Sequence, residues 1–140
     1  MVLTAADIMR KPPKTVSPDI SVSESSKIMR DTGEGFLIIR EGTDILGIVT
    51  EWDLVSKVMA AGIDPDSIKI EKIMTRNFIH IPPDTPTIKI TETMREHGIR
   101  RLIVMNGREL LGVITSRDIL RIFKDYVENV SEIVYRFGIK

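Results

Sequence analysis

The chain has no cysteine among its 140 residues, which excludes disulfides and thiolate metal sites. It also lacks net charge, because 20 Lys and Arg balance 20 Asp and Glu. A neutral chain has no broad positive field of the kind that non-specific nucleic-acid binding relies on, so DNA or RNA is not expected as a partner. Long apolar runs are missing as well. The longest, such as Leu110–Ile114 with its interior glycine, cover about five residues, whereas a bilayer span needs about 20. The first residues lack a secretory apolar core, since Thr4, Asp7 and Arg10 interrupt them. The expected compartment is the cytoplasm, with no membrane partner. Histidine is scarce too, with only His80 and His97. No cluster of carboxylates and histidines suggests a metal, and no Ser/His/Asp spacing suggests a nucleophile. No catalytic residue and no enzyme activity are expected.

What remains is enough for a real core: hydrophobic residues make up 42% of the chain, which suits one compact module without staples. Its organisation is an internal repeat. At a fixed offset, Ile8-Met9 falls on Ile73-Met74, Pro18-Asp19 on Pro83-Asp84, and Met29-Arg30 with Gly33 on Met94-Arg95 with Gly98. Leu37-Ile38 then falls on Leu102-Ile103, Gly42 on Gly107, Leu46-Gly47 on Leu111-Gly112, and Thr50 and Asp53 on Thr115 and Asp118. Only two copies exist, so a closed pseudo-dimer is the natural architecture.

Each copy has the same local grammar. A short apolar stretch (Lys14–Val16, Phe78–Ile81) meets a Pro-Asp turn signal. The spacing predicts a capped helix over 21–32 and again over 85–97, with Gly33 and Gly98 at the left-handed position after its end. Two hairpins follow, Phe36–Arg40 with Ile45–Thr50 and Arg101–Met105 with Leu110–Thr115. A further helix starts directly after Thr50 and Thr115. The predicted fold class is α+β, a tandem repeat of β-α-β-β-α units forming a pseudo-twofold pair. Its expected parts are residues 1–64, residues 65–124, and a C-terminal helical extension over 125–140. Leading into and along that extension, Ile119, Phe123, Tyr126, Val130, Ile133 and Phe137 recur at helical spacing, a stripe that either packs against its own module or, as the favoured reading, forms a subunit contact.

The most informative motif is Gly47-Ile-Val-Thr50-Glu-Trp-Asp53, repeated as Gly112-Val-Ile-Thr115-Ser-Arg-Asp118. A strand handing over to a helix presents amides and the positive helix end, which attract phosphate. The threonine can add a donor, and the aspartate can accept from the hydroxyls of a ribose. Thr-x-x-Asp is equally a helix cap, with threonine at N-cap and aspartate at N3. One copy alone favours the cap. Its recurrence after the same strand and glycine favours a ligand.

The two strand-helix-hairpin-helix copies, their Ile-Met lead-ins, Pro-Asp turns and Gly-h-h-Thr-x-x-Asp endings resemble a pair of CBS domains (a Bateman module), here a stand-alone pair. The resemblance implies clefts between the copies that hold AMP, ADP, ATP or S-adenosylmethionine, with no tightly bound cofactor. It further implies a homodimer formed through the helices after Thr50 and Thr115, and a ligand signal passed to a regulated protein. Carried over, Thr115 touches phosphate and Asp118 holds the ribose in one cleft, with Thr50 and Asp53 in the other. The resemblance also places a basic residue at the start of the second strand, here Arg100-Arg101, where the first copy has Gly35-Phe36. Adenine contacts implied for the Thr115 cleft are Val16, Gly35, Phe36 and Leu37; for the Thr50 cleft they are His80, Ile81 and Arg100. The two clefts are therefore expected to be unequal, with the more phosphorylated ligand at Thr115. A scaffold with vestigial clefts is the alternative.

Overall fold

Glycine ends both predicted long helices. α2 (Val22–Thr32) stops at Gly33, φ 73°, and α4 (Thr87–His97) stops at Gly98, φ 61°. Both angles are left-handed, a conformation glycine adopts without a Cβ penalty. These elements are seen in a computed structural model that describes residues 2–138. Residue 1 and residues 139–140, the outer ends of the first repeat and of the C-terminal extension, lie outside the described residues. The fold is α+β. In chain order the other elements are α1 (Ala5–Ile8), β1 (Phe36–Glu41), β2 (Asp44–Thr50), α3 (Glu51–Asp53), β3 (His80–Ile81), β4 (Arg101–Asn106), β5 (Glu109–Thr115) and α5 (Ser116–Phe137). A π-helical turn, Leu54–Met59, continues α3.

The described residues divide into two compact units. One runs over Pro12–Ile79, and the other joins the first eleven residues to the chain from His80 onward. In the first unit β1 and β2 form an antiparallel hairpin, with Phe36 opposite Thr50 and a bulge between Ile39 and Arg40. Val16 adds a single parallel bridge to Ile39 on one edge, and Thr75 pairs with Ile48 on the other. The second unit repeats the plan. β3 lies parallel to β4, β4 lies antiparallel to β5 with Arg101 opposite Thr115, and Arg10 bridges Val113.

One edge of each sheet is thus closed by the lead-in of the other repeat. The Met9-Arg10 lead-in of the first repeat pairs with β5, and the Met74-Thr75 lead-in of the second pairs with β2. Glycine makes this possible. A Cβ on Gly112 would lie 2.6 Å from the Arg10 carbonyl oxygen, and one on Gly47 would lie 2.6 Å from that of Thr75. Neither position has room for a side chain. In the Pro12–Ile79 unit the core gathers Val22, Met29, Leu37, Ile39, Val49, Val58 and Ile70 under these strands. In the other unit Ile90, Leu102, Val104 and Ile114 are fully buried.

Two local expectations need correction. The stretch Lys14–Val16 makes one bridge rather than a strand, because Pro12, Pro13 and Pro18 remove ladder donors around it. The fourth helix begins at Thr87, not 85, with Pro86 extended at its N-cap. Within the extension expected over 125–140, the last helix runs to Phe137, and Gly138 closes it at φ 60°.

Candidate functional site at two strand-to-helix junctions

Both strands of interest end the same way. Thr50 and Thr115 sit in extended backbone at φ −111° and −113°, and a helix starts at the next residue. The first helical amide is already taken in each unit. Glu51 N–H donates to the Gly35 carbonyl, and Ser116 N–H donates to that of Arg100, both at 2.9 Å. The chain before the first hairpin strand is thereby tied to the threonine that ends the second.

The capping alternative is realised in both copies. Thr50 N–H donates to Asp53 Oδ2 at 2.8 Å, the Thr50 hydroxyl donates to the same oxygen at 3.2 Å, and Asp53 N–H donates to Thr50 Oγ1 at 3.3 Å. In the second copy the corresponding distances are 2.8, 3.0 and 3.3 Å. A third Thr-x-x-Asp, at the start of α1, closes likewise: Thr4 N–H donates to Asp7 Oδ2 at 2.7 Å. Each threonine hydroxyl proton is spent on its own aspartate.

The two aspartates differ in what else they hold. Asp118 is 1% exposed and accepts from Arg10 Nε at 3.0 and 3.2 Å and from Arg121 Nη2 at 2.9 Å. A carboxylate has about four lone-pair sites, and this one has no spare acceptor. Burial alone would raise its pKa. The hydrogen bonds from the Thr115 backbone and hydroxyl, followed by Arg10, outweigh that and hold the carboxyl below the usual aspartate range. Asp53 has one ionic partner, Lys57 at 3.0 Å, on Oδ1. Lys57 also donates to the Ile73 carbonyl at 2.9 Å. Asp53 therefore retains acceptor capacity that Asp118 has lost.

Reading the sequence did not identify Arg10, Arg121 or Lys57. Lys57 and Arg121 stand four and three residues after their aspartates, the helical spacing for ion pairs, and were legible in principle. Arg10 was not, because it meets Asp118 across 108 residues.

The other expected site residues fall into the two units. Val16, Gly35, Phe36, Leu37, Thr50 and Asp53 lie in the Pro12–Ile79 unit, where Phe36 and Leu37 are each 1% exposed. His80, Ile81, Arg100, Arg101, Thr115 and Asp118 lie in the other. There, exposed His80 pairs in register with Ile103 and buried Ile81 with Val104. Arg100 is exposed and Arg101 half-buried at the start of β4, beside Thr115. The junctions consequently differ in charge. Arg10, Arg100, Arg101, Arg117 and Arg121 surround the start of α5, whereas Glu51, Trp52 and Lys57 occupy the start of α3 and its continuation.

Two cavities lie elsewhere and hold none of these residues. One, of about 380 Å³, is lined by Val22, Ser26, Leu54, Val58 and Met59; the other, of about 440 Å³, by Thr91, Met94, Ile99, Ile119 and Leu120. Among the described residues no group of His, Asp or Glu could hold a metal ion. No helix there is long and apolar enough to cross a membrane.

Known proteins share this architecture. A protein of Methanopyrus kandleri is 32% identical over 96% of this chain and 70% of its own. The crystal structure of the CBS domain pair of protein MJ0100, in complex with 5′-methylthioadenosine and S-adenosyl-L-methionine, is 32% identical. It covers 90% of this chain and 99% of that one with a TM-score of 0.80. A hexameric CBS-CP12 protein from bloom-forming cyanobacteria is 35% identical over 91% of this chain and 75% of that one, TM-score 0.79. The CBS domain itself matches twice, over residues 5–60 and 70–125. The chain therefore belongs to the CBS domain family and carries the domain as a pair.

Proposed function

We propose that this chain is a regulatory ligand sensor that binds adenine nucleotides and signals their occupancy to a partner protein, working as a cytoplasmic homodimer without catalysis. The observation that carries the reading is the twice-repeated strand–threonine–helix junction, set among several arginines in one copy and beside Lys57 and Glu51 in the other. CBS pairs are regulatory and bind adenosine ligands, and the MJ0100 pair holds two of them.

The electrostatics divide the work. A di- or triphosphate suits the Thr115 junction, where the Arg117 amide, Arg100 and Arg101 supply donors and the helix dipole adds to them. To accept a ribose hydroxyl there, Asp118 must give up a bond from Arg10 or Arg121. At the Thr50 junction Glu51 repels phosphate, and the spare acceptor on Asp53 suits the hydroxyls of a less charged nucleoside. AMP, ADP or ATP is the ligand class assigned to the first junction, and S-adenosylmethionine is the alternative.

One observation favours a second reading. The closed caps on Asp53 and Asp118 are what a scaffold with vestigial sites would have. The thermal midpoint separates the two. A ligand that binds only the folded chain, at a hundred times its dissociation constant, adds about 2.7 kcal/mol, or roughly 9 °C for a chain of this size. The sensor reading expects this rise with ATP, AMP or S-adenosylmethionine. No rise with any of them supports the scaffold.

A further inference from the structure

Asp118 is fully occupied before any ligand arrives. Arg10 Nε bridges both carboxylate oxygens, 3.0 Å from Oδ1 and 3.2 Å from Oδ2, while Arg121 reaches Oδ1 alone at 2.9 Å. The two arginines differ in what carries them. Arg121 stands on α5 itself, three residues on and 58% exposed, so its guanidinium turns to water without disturbing the backbone. Arg10 arrives from the first eleven residues and is 39% exposed.

That segment is a strap laid along the second unit. Ala5 N–H donates to the Thr85 carbonyl at 2.8 Å, Ala6 N–H to that of Pro83 at 2.9 Å, and Thr87 N–H to that of Leu3 at 3.0 Å. Arg10 and Val113 exchange two backbone bonds at 2.9 and 3.0 Å. Little apolar surface reinforces these bonds, since Ala5 and Ile8 are the buried side chains of the segment. Asp7 accepts from Thr4 N–H at 2.7 Å, inside the strap itself. The Arg10–Asp118 pair is thus a charged tie from the strap to the start of α5. The first repeat builds the same edge without that cation. Thr75 holds the position of Arg10 and exchanges the equivalent backbone bonds with Ile48 at 2.8 and 3.1 Å, while Asp53 pairs with Lys57 of its own helical segment.

We propose that Arg10 is a built-in competitor for the ribose at Asp118, and that a nucleotide taking this carboxylate loosens the strap from the second unit. This rests on the ligand reading above and supplies a route by which occupancy of the Thr115 junction becomes a movement of the chain. A ribose presents two neighbouring hydroxyls, which can take both oxygens as the Arg10 Nε–H does, so the diol and Arg10 exclude each other. Arg121 covers one oxygen and competes less. The backbone bonds that remain are neutral and near the surface, the kind that open locally at low cost.

Hydrogen exchange and calorimetry test this together. In the native chain, saturating ATP should speed exchange of the Ala5 and Val113 amides about fivefold, while amides of β4 slow as they do for any ligand of the folded state. Arg10→Ala should bind ATP about fivefold to tenfold more tightly, because one partly exposed, charge-assisted competitor is gone. In that variant the same two amides should exchange fast with or without ATP. Arg121→Ala should change the affinity by less than about twofold. ATP binding that is unchanged or weaker in Arg10→Ala, equal tightening by Arg121→Ala, or strap amides slowed by ATP in the native chain overturns the proposal and leaves the ligand reading standing. The exchange of the native chain needs no variant, so it decides even if Arg10→Ala folds poorly. Absence of ATP binding by the native chain and by Arg10→Ala alike sinks the ligand reading, and this inference with it.

Discussion

Gly112→Ala is expected to destabilise the fold by about 3 kcal/mol, at the upper end of what overpacking a tight site costs. The new Cβ would sit 2.6 Å from the Arg10 carbonyl oxygen and 2.8 Å from the Met9 sulfur. The methionine can swing aside, but the carbonyl cannot. Arg10 is held to Val113 by two backbone bonds of 2.9 and 3.0 Å, so relieving the clash opens the sheet edge. The same shift would drag the Arg10 guanidinium off Asp118. Gly47→Ala, 2.6 Å from the Thr75 carbonyl, should behave alike. Gly107→Ala is the control, because its φ of 61° strains alanine but nothing lies within 4 Å. There the cost should be about 1 kcal/mol. Urea midpoints of the three variants check the order. If Gly112→Ala costs no more than Gly107→Ala, the close approach is not what the glycine serves.

Asp118→Ala should cost about 3 kcal/mol and Asp53→Ala about 1 kcal/mol, although both occupy the same position of the repeat. Each loses a cap contribution of about 1 kcal/mol. Asp118 in addition loses charge-assisted bonds from two arginines, Arg10 and Arg121, which are 39% and 58% exposed, so the usual penalty for breaking a buried pair is discounted to about 2 kcal/mol. Lys57, 45% exposed, turns back to water at little cost. Acidity gives a second signature. The Asp118 carboxyl is held below its unfolded value of about 3.9, so it stabilises the fold above that pH. The stabilisation is lost as pH falls through the depressed folded-state value. The stability gap between the native chain and Asp118→Asn should therefore be constant from pH 5 to 7 and close below about pH 4. Equal costs for the two aspartates, or a gap independent of pH, would contradict this account.

The repeat carried most of the fold in plain sight. Gly33 and Gly98 marked helix ends, Ser21 capped α2 by accepting from Glu24 N–H at 3.0 Å, and Gly42 and Gly107 turned the hairpins at φ 61°. These are local choices, each made by a residue and its near neighbours. The crossed lead-ins were not local. Ile8-Met9 and Ile73-Met74 were visible as matching pairs, and Gly47 and Gly112 as matching glycines, yet nothing in their spacing told which pair would meet which glycine. Arg10 belongs to that class, since its partner is set by the exchange and not by any helical period. The Thr-x-x-Asp motif offered two chemistries in the sequence, a helix cap and a ligand contact. The cap is fully formed, and the ligand chemistry depends on what can displace it. Mistaken details trace to proline: Pro86 delayed a helix that Thr85 seemed placed to start, and Pro12, Pro13 and Pro18 thinned a strand to one residue.

The central claim is that the two junctions differ in the charge of the adenosine ligand they take. Calorimetric titration of the native chain and of the double change Arg100→Ala and Arg101→Ala, with ATP and with 5′-methylthioadenosine, tests it most directly. Each charge-assisted bond contributes about 1.5–3 kcal/mol, so the double change should weaken ATP at least tenfold and leave 5′-methylthioadenosine within twofold. No heat from either ligand, or equal weakening of both, would contradict it.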